Sequence, residues 1–457
     1  MRLFYSLLFA ATLSAAPADW ILSARYIVTS DAAHHIIEDG AIAVQGDRIL
    51  AVGPRAEILK AYQARQRVDR PNAVMVPGLI NTHTHAAMSL FRGIADDKVL
   101  QDWLEHYIFP AEAKNVSPDF VRWGTRLACL EMLLSGTTTF TDMYYFEDVV
   151  AEAAKEAGMR GVLGETVIGF PVADATTPHD ALALSEKFLQ RFANDPLIVP
   201  AIAPHALYTN SPETLTAVRA LANKYNAPVL IHLAETKKEN DDAHEKYGKS
   251  AAQELESLHF FEGGRTLAAH GVWLDDADIA TLKLHNVGVA HCPSSNMKLS
   301  SGAAPIVKLR AAGVNVGLGP DGPAGSNNDF NMFEEMDLAA KLQKLVTMDP
   351  RALPARAAID MATIDGAKAL GIDKITGSLE PGKRADLIEI SLDEANATPL
   401  FNIESQIVYA LKGSDVRDVM INGKWVVRNR TVLTLNSATI KQKAIEYQKQ
   451  VAASLIK

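Results

Sequence analysis

The stretch Val76-Pro77-Gly78-Leu79-Ile80-Asn81-Thr82-His83-Thr84-His85 decides how this chain is interpreted. An apolar run ends there in two histidines separated by one residue. Side chains two positions apart on a strand point to the same side, so both imidazoles can face one point in space. The pair predicts a metal site at the end of a strand, although two unrelated surface histidines would give the same local pattern.

Short apolar runs recur along the middle of the chain, and the segments between them are long enough to form helices. Residues 120–135 and 211–225, for example, carry apolar side chains at helical spacing. Parallel strands need crossovers of this kind. Eight such alternations predict an α/β fold, a (β/α)8 TIM barrel over residues 73–374. The predicted strands are 73–80, 137–141, 161–167, 197–203, 228–233, 266–269, 287–290 and 314–318.

Strand-like runs joined by turns also lie on both flanks of this central region, and Asn422-Gly423 is a hairpin signal. Neither flank has enough strands for a stable sheet of its own. We therefore expect residues 19–72 and 375–436 to combine into one small β-sandwich beside the barrel. The remaining residues, 437–457, are predicted to form a C-terminal helix.

The N-terminus has the pattern of a signal peptide. Arg2 precedes an apolar stretch, 3–16, that is too short to span a bilayer. Small residues of cleavage-site type follow, ending at Ala16 or Ala18. We expect residues 1–18 to be removed on export to the periplasm or the medium. The alternative is a cytoplasmic protein that starts with an apolar strand or terminus.

Composition excludes some partners. The chain has 457 residues and a formal net charge of −9, with no basic patch of the kind that binds nucleic acid. No later segment is apolar enough to be a membrane helix. Export often brings disulfides, but Cys129 and Cys292 are the only cysteines. We expect buried free thiols, and the sequence leaves their pairing open.

Further polar residues stand at predicted strand ends, on the same barrel face as His83 and His85. His232 ends the fifth strand, His270 the sixth, and Asp321 the eighth. Three neutral imidazoles and one carboxylate suit a borderline divalent ion such as zinc. The spacing does not decide which three histidines bind it.

The chain resembles the amidohydrolase superfamily from about residue 41 to residue 429. The resemblance is strongest to the methylthioadenosine/S-adenosylhomocysteine deaminases and their chlorohydrolase relatives. The segments that carry it are 77–88, 108–114, 135–144, 203–209, 232–236, 268–272, 289–298, 313–322, 331–336 and 382–387.

The resemblance implies that His83, His85, His232 and Asp321 bind one divalent metal ion, with zinc expected and iron or manganese as alternatives. It implies that His270 faces the attacking oxygen instead of the metal. Two-metal members have a lysine at the end of the fourth strand. This chain has Pro204-His205 there, which favours a single metal. Family members also suggest a homo-oligomer.

These residues predict hydrolytic deamination of a small amino-heterocycle. A bound metal makes water acidic enough to attack at neutral pH, and Asp321 can take its proton. Glu235 lies three residues after His232, close enough to protonate a ring nitrogen, and by resemblance it is the proton shuttle. His270 is expected to stabilise the attacking oxygen.

Besides Glu235, four residues are predicted to contact substrate. Glu112 matches the ribose-hydroxyl contact of the family, and His205 matches a contact near the base or ribose. Trp103 is expected either to wall the pocket or to pack in the core. Members that act on S-adenosylhomocysteine commonly have an arginine five residues after the position of Arg160, where this chain has Glu165. A glutamate there would repel the substrate carboxylate, so we expect a neutral or cationic substrate.

Three functions remain open from the sequence. The first is deamination of an adenosine-type nucleoside such as methylthioadenosine. The second is hydrolysis of another C–N or C–Cl bond, in a triazine, pterin, guanine or amide. The third is a barrel scaffold without catalytic activity, against which the intact set of candidate residues counts.

Overall fold

The computed structural model describes residues 15–455. The chain forms a closed eight-stranded barrel and a separate eight-stranded sheet that combines strands from both flanks. This arrangement confirms the predicted TIM barrel with a small composite β-domain. The predicted signal peptide falls mainly on residues 1–14, outside the described part of the chain, and export stays a prediction.

The strands follow the predicted order along the chain. The N-terminal flank contains β1 (Ala16–Val28), β2 (Ile36–Gln45), β3 (Arg48–Pro54) and β4 (Tyr62–Pro77). The barrel contains β5 (Leu79–Thr84), β6 (Thr137–Tyr144), β7 (Arg160–Val167), β8 (Ile198–Pro204), β9 (Val229–Leu233), β10 (Thr266–His270), β11 (Gly288–His291) and β12 (Val316–Leu318). The C-terminal flank contains β13 (Leu387–Ser391), β14 (Val416–Ile421), β15 (Lys424–Arg428) and β16 (Thr431–Val432).

The flanking sheet has the strand order β16-β15-β14-β13-β4-β1-β2-β3. Only β1 and β4 pair in parallel, and β4 joins the two flanks because it also pairs antiparallel with β13. The Asn422-Gly423 turn links β14 to β15 with both residues at positive φ, 49° and 71°. That geometry is the one expected of a two-residue hairpin.

The predicted first barrel strand, 73–80, is wrong in its bounds. Residues up to Pro77 belong to β4 of the flanking sheet, and the barrel strand begins at Leu79. Gly78 stands between them, where a Cβ would lie 2.1 Å from Thr138 Oγ1. Because the run is apolar on both sides of this glycine, its hydropathy could not show that one sheet ends and another begins.

Helices follow the barrel strands along the chain and also occur in both flanks. They are α1 (Arg55–Ala61), α2 (Leu100–Trp103), α3 (Phe109–Asn115), α4 (Pro118–Leu134), α5 (Glu147–Ala157), α6 (Pro178–Phe192), α7 (Pro212–Tyr225), α8 (Lys237–Tyr247), α9 (Ala251–Ser257), α10 (Asp276–Leu284), α11 (Pro293–Lys298), α12 (Ile306–Ala311), α13 (Met332–Thr347), α14 (Ala355–Met361), α15 (Ile364–Leu370), α16 (Ile403–Ser405) and α17 (Ser437–Leu455). A π-helical turn, Leu104–Ile108, joins α2 to α3.

Local sequence explains where the crossover helices begin. Helices α4, α6 and α7 each start with proline after a serine or threonine whose side chain accepts a backbone N–H. This cap satisfies a donor that the first turn leaves free, and proline fits the first helical position. No helix within residues 15–455 is both long and apolar enough to cross a membrane. Cys129 and Cys292 are buried free thiols.

Candidate active site

Strands β5, β9, β10 and β12 end at the same rim of the barrel and bring the predicted metal residues together. Asp321 Oδ1 lies 3.3 Å from Nε2 of both His83 and His85. His232 Nε2 lies 3.4 Å from His85 Nε2, and the His270 ring centre is 5.3 Å from that of His83. Two overlapping sets, His83–His232–His270 and His83–His85–Asp321, each have ligand atoms within 4.8 Å of one another. Side chains from distant parts of the chain thus converge on one small volume.

Backbone carbonyls orient two of these imidazoles. His85 Nδ1 lies 2.7 Å from the carbonyl oxygen of Met143, and His232 Nδ1 lies 2.7 Å from that of His205. A carbonyl oxygen can only accept, so each Nδ1 carries a hydrogen and donates it, which leaves Nε2 as the atom that can bind a metal. Burial lowers the pKa of His232 well below its usual value. At His85 burial opposes the shift, but the adjacent Asp321 raises the pKa to about 9, so a metal ion at its Nε2 would take the place of a proton. Metal-binding histidines are commonly held in this way.

His83 and Asp321 supply the strongest indication of a cation. His83 is fully buried, and neither ring nitrogen has a hydrogen-bond partner among the described residues. Burial lowers the pKa of His83 to about 4, against the effect of Asp321, so the ring is neutral. Burial would raise the pKa of Asp321, but the adjacent His83 and His85 hold it well below its usual range. Buried, unpartnered imidazole beside an ionised carboxylate is a donor set that a divalent cation satisfies.

Three site residues have backbone conformations that non-glycine residues rarely adopt. Asp321 has φ 67°, His270 has φ 72° and Ala234, just before Glu235, has φ 51°. Each lies where a barrel strand turns into its loop. A left-handed conformation at a non-glycine residue costs of order 1–3 kcal/mol and occurs preferentially at functional sites.

Glu235 lies next to the histidine cluster. Its Oε2 is 3.8 Å from His270 Nε2. Burial and then the charge of Asp321 raise the pKa of Glu235 to about 8, so at neutral pH it is mainly a carboxylic acid. Glu239 fixes the backbone here, because its two carboxylate oxygens accept the N–H groups of Ala234 and Glu235 at 2.9 and 2.8 Å.

A cavity with about 590 Å³ of empty space, its open mouth included, lies above this cluster. Its walls are mainly apolar and aromatic. Among the described residues that line it there is no lysine or arginine. The lining residues are His85, Met88, Leu100, Trp103, Leu104, Ile108, Phe109, Glu112, Met143, Tyr144, Tyr145, Thr166, His205, Tyr208, His232, Glu235, His270, Leu299 and Asp321.

Glu112 lies in this cavity wall on α3. It is buried and accepts hydrogen bonds from the hydroxyls of Tyr144 at 2.7 Å and Tyr145 at 3.4 Å. Burial raises the pKa of Glu112 to about 7. Each of its oxygens keeps a second lone pair, so the carboxylate can accept further hydroxyl hydrogens from a ligand.

His205 and Trp103 also line the cavity. The His205 ring lies 4.7 Å from that of His232, centre to centre, and its Nδ1 is 3.1 Å from Thr209 Oγ1. Burial, and then the neighbouring histidines, lower the pKa of His205 to about 3, so this ring is neutral. Trp103 donates its indole N–H to the Ala324 carbonyl at 2.9 Å. It therefore both walls the cavity and packs against the loop after β12.

The expectation that Glu165 contacts substrate is not supported by its position. Thr166 lines the cavity and Glu165 does not; Glu165 lines a different cavity, together with Asp174. The reason is strand alternation, because adjacent side chains of β7 point to opposite faces. Direct repulsion between Glu165 and a substrate carboxylate therefore does not follow.

The sequence did not predict the side chains that support the site. Ser295 donates to Asp321 Oδ2 at 2.7 Å, and Asn296 Oδ1 lies 3.0 Å from His270 Nδ1. Both lie on the short helix α11. The Ser294-Ser295-Asn296 run has polar residues suited to a turn, and only the tertiary fold shows that they face Asp321 and His270. Glu239 follows the predicted shuttle Glu235 by four residues, the spacing of one helical turn.

A parallel barrel with histidines and an aspartate at the C-terminal ends of its strands defines the class, a TIM-barrel enzyme with a metal-type site. A family model described as "Amidohydrolase family" matches residues 74–426, and the chain belongs to this family. A model described as "Imidazolonepropionase-like composite domain, bacteria" matches residues 40–62, which lie in the flanking sheet region.

Relatives cover nearly the whole chain. It is 47% identical over 419 residues to 5-methylthioadenosine/S-adenosylhomocysteine deaminase 1 of Syntrophus aciditrophicus, covering 92% of this chain and 94% of the relative. It is 42% identical over 441 residues to the 5'-deoxyadenosine deaminase of Methanosarcina barkeri, covering 96% and 99%. A crystal structure of an adenosine deaminase from Xanthomonas campestris with bound zinc superposes with a TM-score of 0.94 at 38% identity, covering 96% of this chain and 100% of that chain.

Proposed function

We propose that this protein is a zinc-dependent aminohydrolase that releases ammonia from an adenosine-type nucleoside whose 5′ substituent carries no negative charge. The observation that carries the proposal is the convergence of His83, His85, His232 and Asp321 beside the acid Glu235. The relatives named as deaminases of adenosine-type compounds support the reaction type.

Four residues would hold the ion. His83 and His232 present neutral imidazoles, His85 presents an Nε2 from which the ion would displace a proton, and Asp321 presents an ionised carboxylate. Zinc prefers such a nitrogen and oxygen set, and the zinc-bound relative supports it over iron or manganese. When bound, a divalent ion makes water acidic enough to attack at neutral pH.

The chain's own residues would move the protons. Asp321 is ionised and takes a proton from the attacking water. Glu235 is in its acid form at neutral pH and donates to the ring nitrogen beside the carbon under attack, because that nitrogen gains charge as the ring loses aromaticity. His270 lies beside Glu235 and stabilises the attacking oxygen. The proton held by Asp321 then passes to the exocyclic amine, the added hydroxyl returns a proton to Glu235, and the amine leaves as ammonia, which gives the oxo product.

The cavity wall would select the nucleoside. Glu112 accepts the hydroxyls of the sugar, and His205 lies beside the base or ribose. The remaining wall is mainly apolar and aromatic and, within residues 15–455, contributes no lysine or arginine that could pair with a carboxylate. Burying an unpaired carboxylate is costly. Methylthioadenosine, 5′-deoxyadenosine and adenosine therefore suit the cavity better than S-adenosylhomocysteine.

Ammonia release from a substrate panel tests the proposal. The zinc-loaded protein is assayed with methylthioadenosine, 5′-deoxyadenosine, adenosine, S-adenosylhomocysteine, guanine and atrazine. We expect the three neutral nucleosides to be deaminated, with kcat/KM for S-adenosylhomocysteine about tenfold or more lower, the equivalent of 1.4 kcal/mol. Equal or better turnover of S-adenosylhomocysteine would refute the charge argument. Turnover of only guanine or atrazine would refute the proposal that the substrate is an adenosine-type nucleoside.

A further inference from the structure

The hydrogen position on His270 is set by a neighbour whose amide has two possible orientations. His270 ends β10 and is buried. Its Nδ1 faces the Asn296 side chain at 3.0 Å, and its Nε2 faces Glu235 Oε2 at 3.8 Å. A neutral imidazole has one N–H and one lone pair. Whether Nε2 can donate to an attacking oxygen therefore depends on what Asn296 presents to Nδ1.

Asn296 is held rigidly for this contact. It is fully buried on α11. Its backbone N–H donates to the Cys292 carbonyl at 2.9 Å, and its own carbonyl accepts the Ser301 N–H at 2.8 Å. With the side-chain oxygen towards His270, Asn296 Nδ2 has no hydrogen-bond partner among the described residues.

The two ends of an asparagine amide have nearly the same shape, and their assignment follows from the hydrogen-bond network. Among buried backbone groups an N–H without a partner is rarer than a carbonyl oxygen without one, and we apply the same preference to the side-chain amide of Asn296. Turning the Asn296 amide over places its N–H group on His270 Nδ1 and leaves only an oxygen unpartnered. The His270 hydrogen then lies on Nε2, which faces Glu235 and the centre of the site.

We propose that Asn296 donates an amide N–H to His270 Nδ1 and thereby fixes the neutral His270 with its hydrogen on Nε2, aimed at the attacking oxygen. This inference rests on the proposed function for the role of His270. Asn296 is a positioning residue, because it acts on the reacting atoms only through the imidazole. The neighbouring Ser295 orients Asp321 by its 2.7 Å hydrogen bond, so α11 supports two groups of the same site.

The test is ¹⁵N NMR of the zinc-loaded protein with labelled histidines, because the two neutral tautomers have different nitrogen shifts. The His270→Gln variant assigns the His270 signals. We expect the Nε2-protonated neutral form in the wild type. Asn296→Ala, which removes the donor, should shift His270 towards the other tautomer or a mixture. A wild-type ring protonated on Nδ1, or on both nitrogens, would overturn the proposal.

Kinetics on methylthioadenosine give a second readout. Loss of a side chain that orients a ligand or catalytic group typically costs 10–100-fold, and for Asn296→Ala we expect that loss in kcat with KM nearly unchanged. Zinc content and melting temperature should stay close to wild type. The control variant is Asn402→Asp, at the exposed N-cap of α16. Its kcat, KM, zinc content and melting temperature should equal those of the wild type. An unchanged kcat in Asn296→Ala would overturn the proposal. If the wild type deaminates no nucleoside, the proposed function fails, while the NMR result still decides the tautomer.

Discussion

Buried titratable side chains gather in two regions of this molecule, and the two behave differently. At the barrel mouth, histidines and Asp321 converge so closely that their ligand atoms lie within 4.8 Å of one another. Behind β6 and β7 lies an acid row, defined as Asp142, Glu147, Glu165 and Asp174. Within residues 15–455 no lysine, arginine or histidine nitrogen pairs with these four carboxyl groups, and they form no set of converging ligand atoms.

Burial favours the protonated form in the acid row, most clearly at Glu147 and Glu165. Neither carboxyl oxygen of Glu147 has a hydrogen-bond partner among the described residues, and burying an ionised carboxylate without a partner is costly. Burial raises the pKa of Asp142 to about 6 and that of Glu147 well above its usual value. The difference teaches that burial and charge do not make a metal site; convergence of ligand atoms does.

The largest expected effect separates the two regions by metal binding. His83 belongs to both converging sets, so His83→Ala should lose the zinc and reduce ammonia release to background. Glu165→Gln, in the acid row, should keep both. Metal analysis and activity on the same preparations check this. If His83→Ala retained zinc, or Glu165→Gln lost it, the claim that only the barrel mouth binds metal would be wrong.

The next largest effect is expected from Glu235, the carboxylic acid at the barrel mouth. Glu235→Gln should lower kcat by about 10²–10⁴-fold, the usual contribution of a general acid or base. Zinc content should be unchanged, because Glu235 is outside the proposed ligand set. Steady-state kinetics with metal analysis measure both. A kcat within twofold of wild type would show that another group carries the proton.

A smaller effect, on KM, is expected from the proposed contact between Glu112 and the sugar hydroxyls. Glu112→Gln replaces a carboxylate by a neutral amide, and a hydrogen bond to a charged group contributes about 1.5–3 kcal/mol. We expect KM for adenosine to rise about tenfold or more, since 1.4 kcal/mol is a factor of ten. The KM for 2′,3′-dideoxyadenosine, which lacks both hydroxyls, should change little. Equal changes for the two substrates would contradict a ribose contact.

The smallest effect is on stability and depends on pH. A carboxyl group whose folded pKa is raised binds its proton more tightly in the folded state, so stability falls as pH rises from the unfolded towards the folded pKa. The Glu147→Gln variant has a side chain of nearly the same shape that does not ionise, so its stability does not depend on binding that proton. At pH 8 the variant should melt at a higher temperature than the wild type, with a gain in the free energy of unfolding of about 1–3 kcal/mol at most. At pH 5 its melting temperature should be no higher than that of the wild type.

Thermal unfolding at the two pH values measures this difference. Glu57→Gln, at an exposed residue of α1, is the matched control and should show no pH-dependent gain. If Glu147→Gln melts lower than wild type at pH 8, the acid row is held together by something other than protons.

Much of the barrel could be predicted because strand ends and helix starts have local signals. Seven of the predicted barrel strands overlap β6 to β12, and the predicted helix over 437–457 appears as α17 (Ser437–Leu455). The first strand was misplaced, because the apolar run through Gly78 belongs to two sheets. Helix α1 and most of β4 were not predicted, since residues 55–72 lack a clear apolar period.

The site was predictable in its centre and less so around it. The residues at strand ends converge because parallel strands end on one face, a rule that sequence can apply. Glu165 is assigned to the pocket by resemblance, at the position where family members commonly have an arginine, but strand alternation turns it to the other face. Ser295, Asn296 and the acid row depend on which helices pack behind which strands, and no local pattern contains that information.

Anomalous X-ray diffraction at the zinc edge, on crystals grown with zinc, tests the central claim most directly. We predict one strong anomalous peak per chain at the barrel mouth, coordinated by His83, His85, His232 and Asp321, and none in the acid row. A peak in the acid row, or an empty barrel mouth with these side chains apart, would contradict the account.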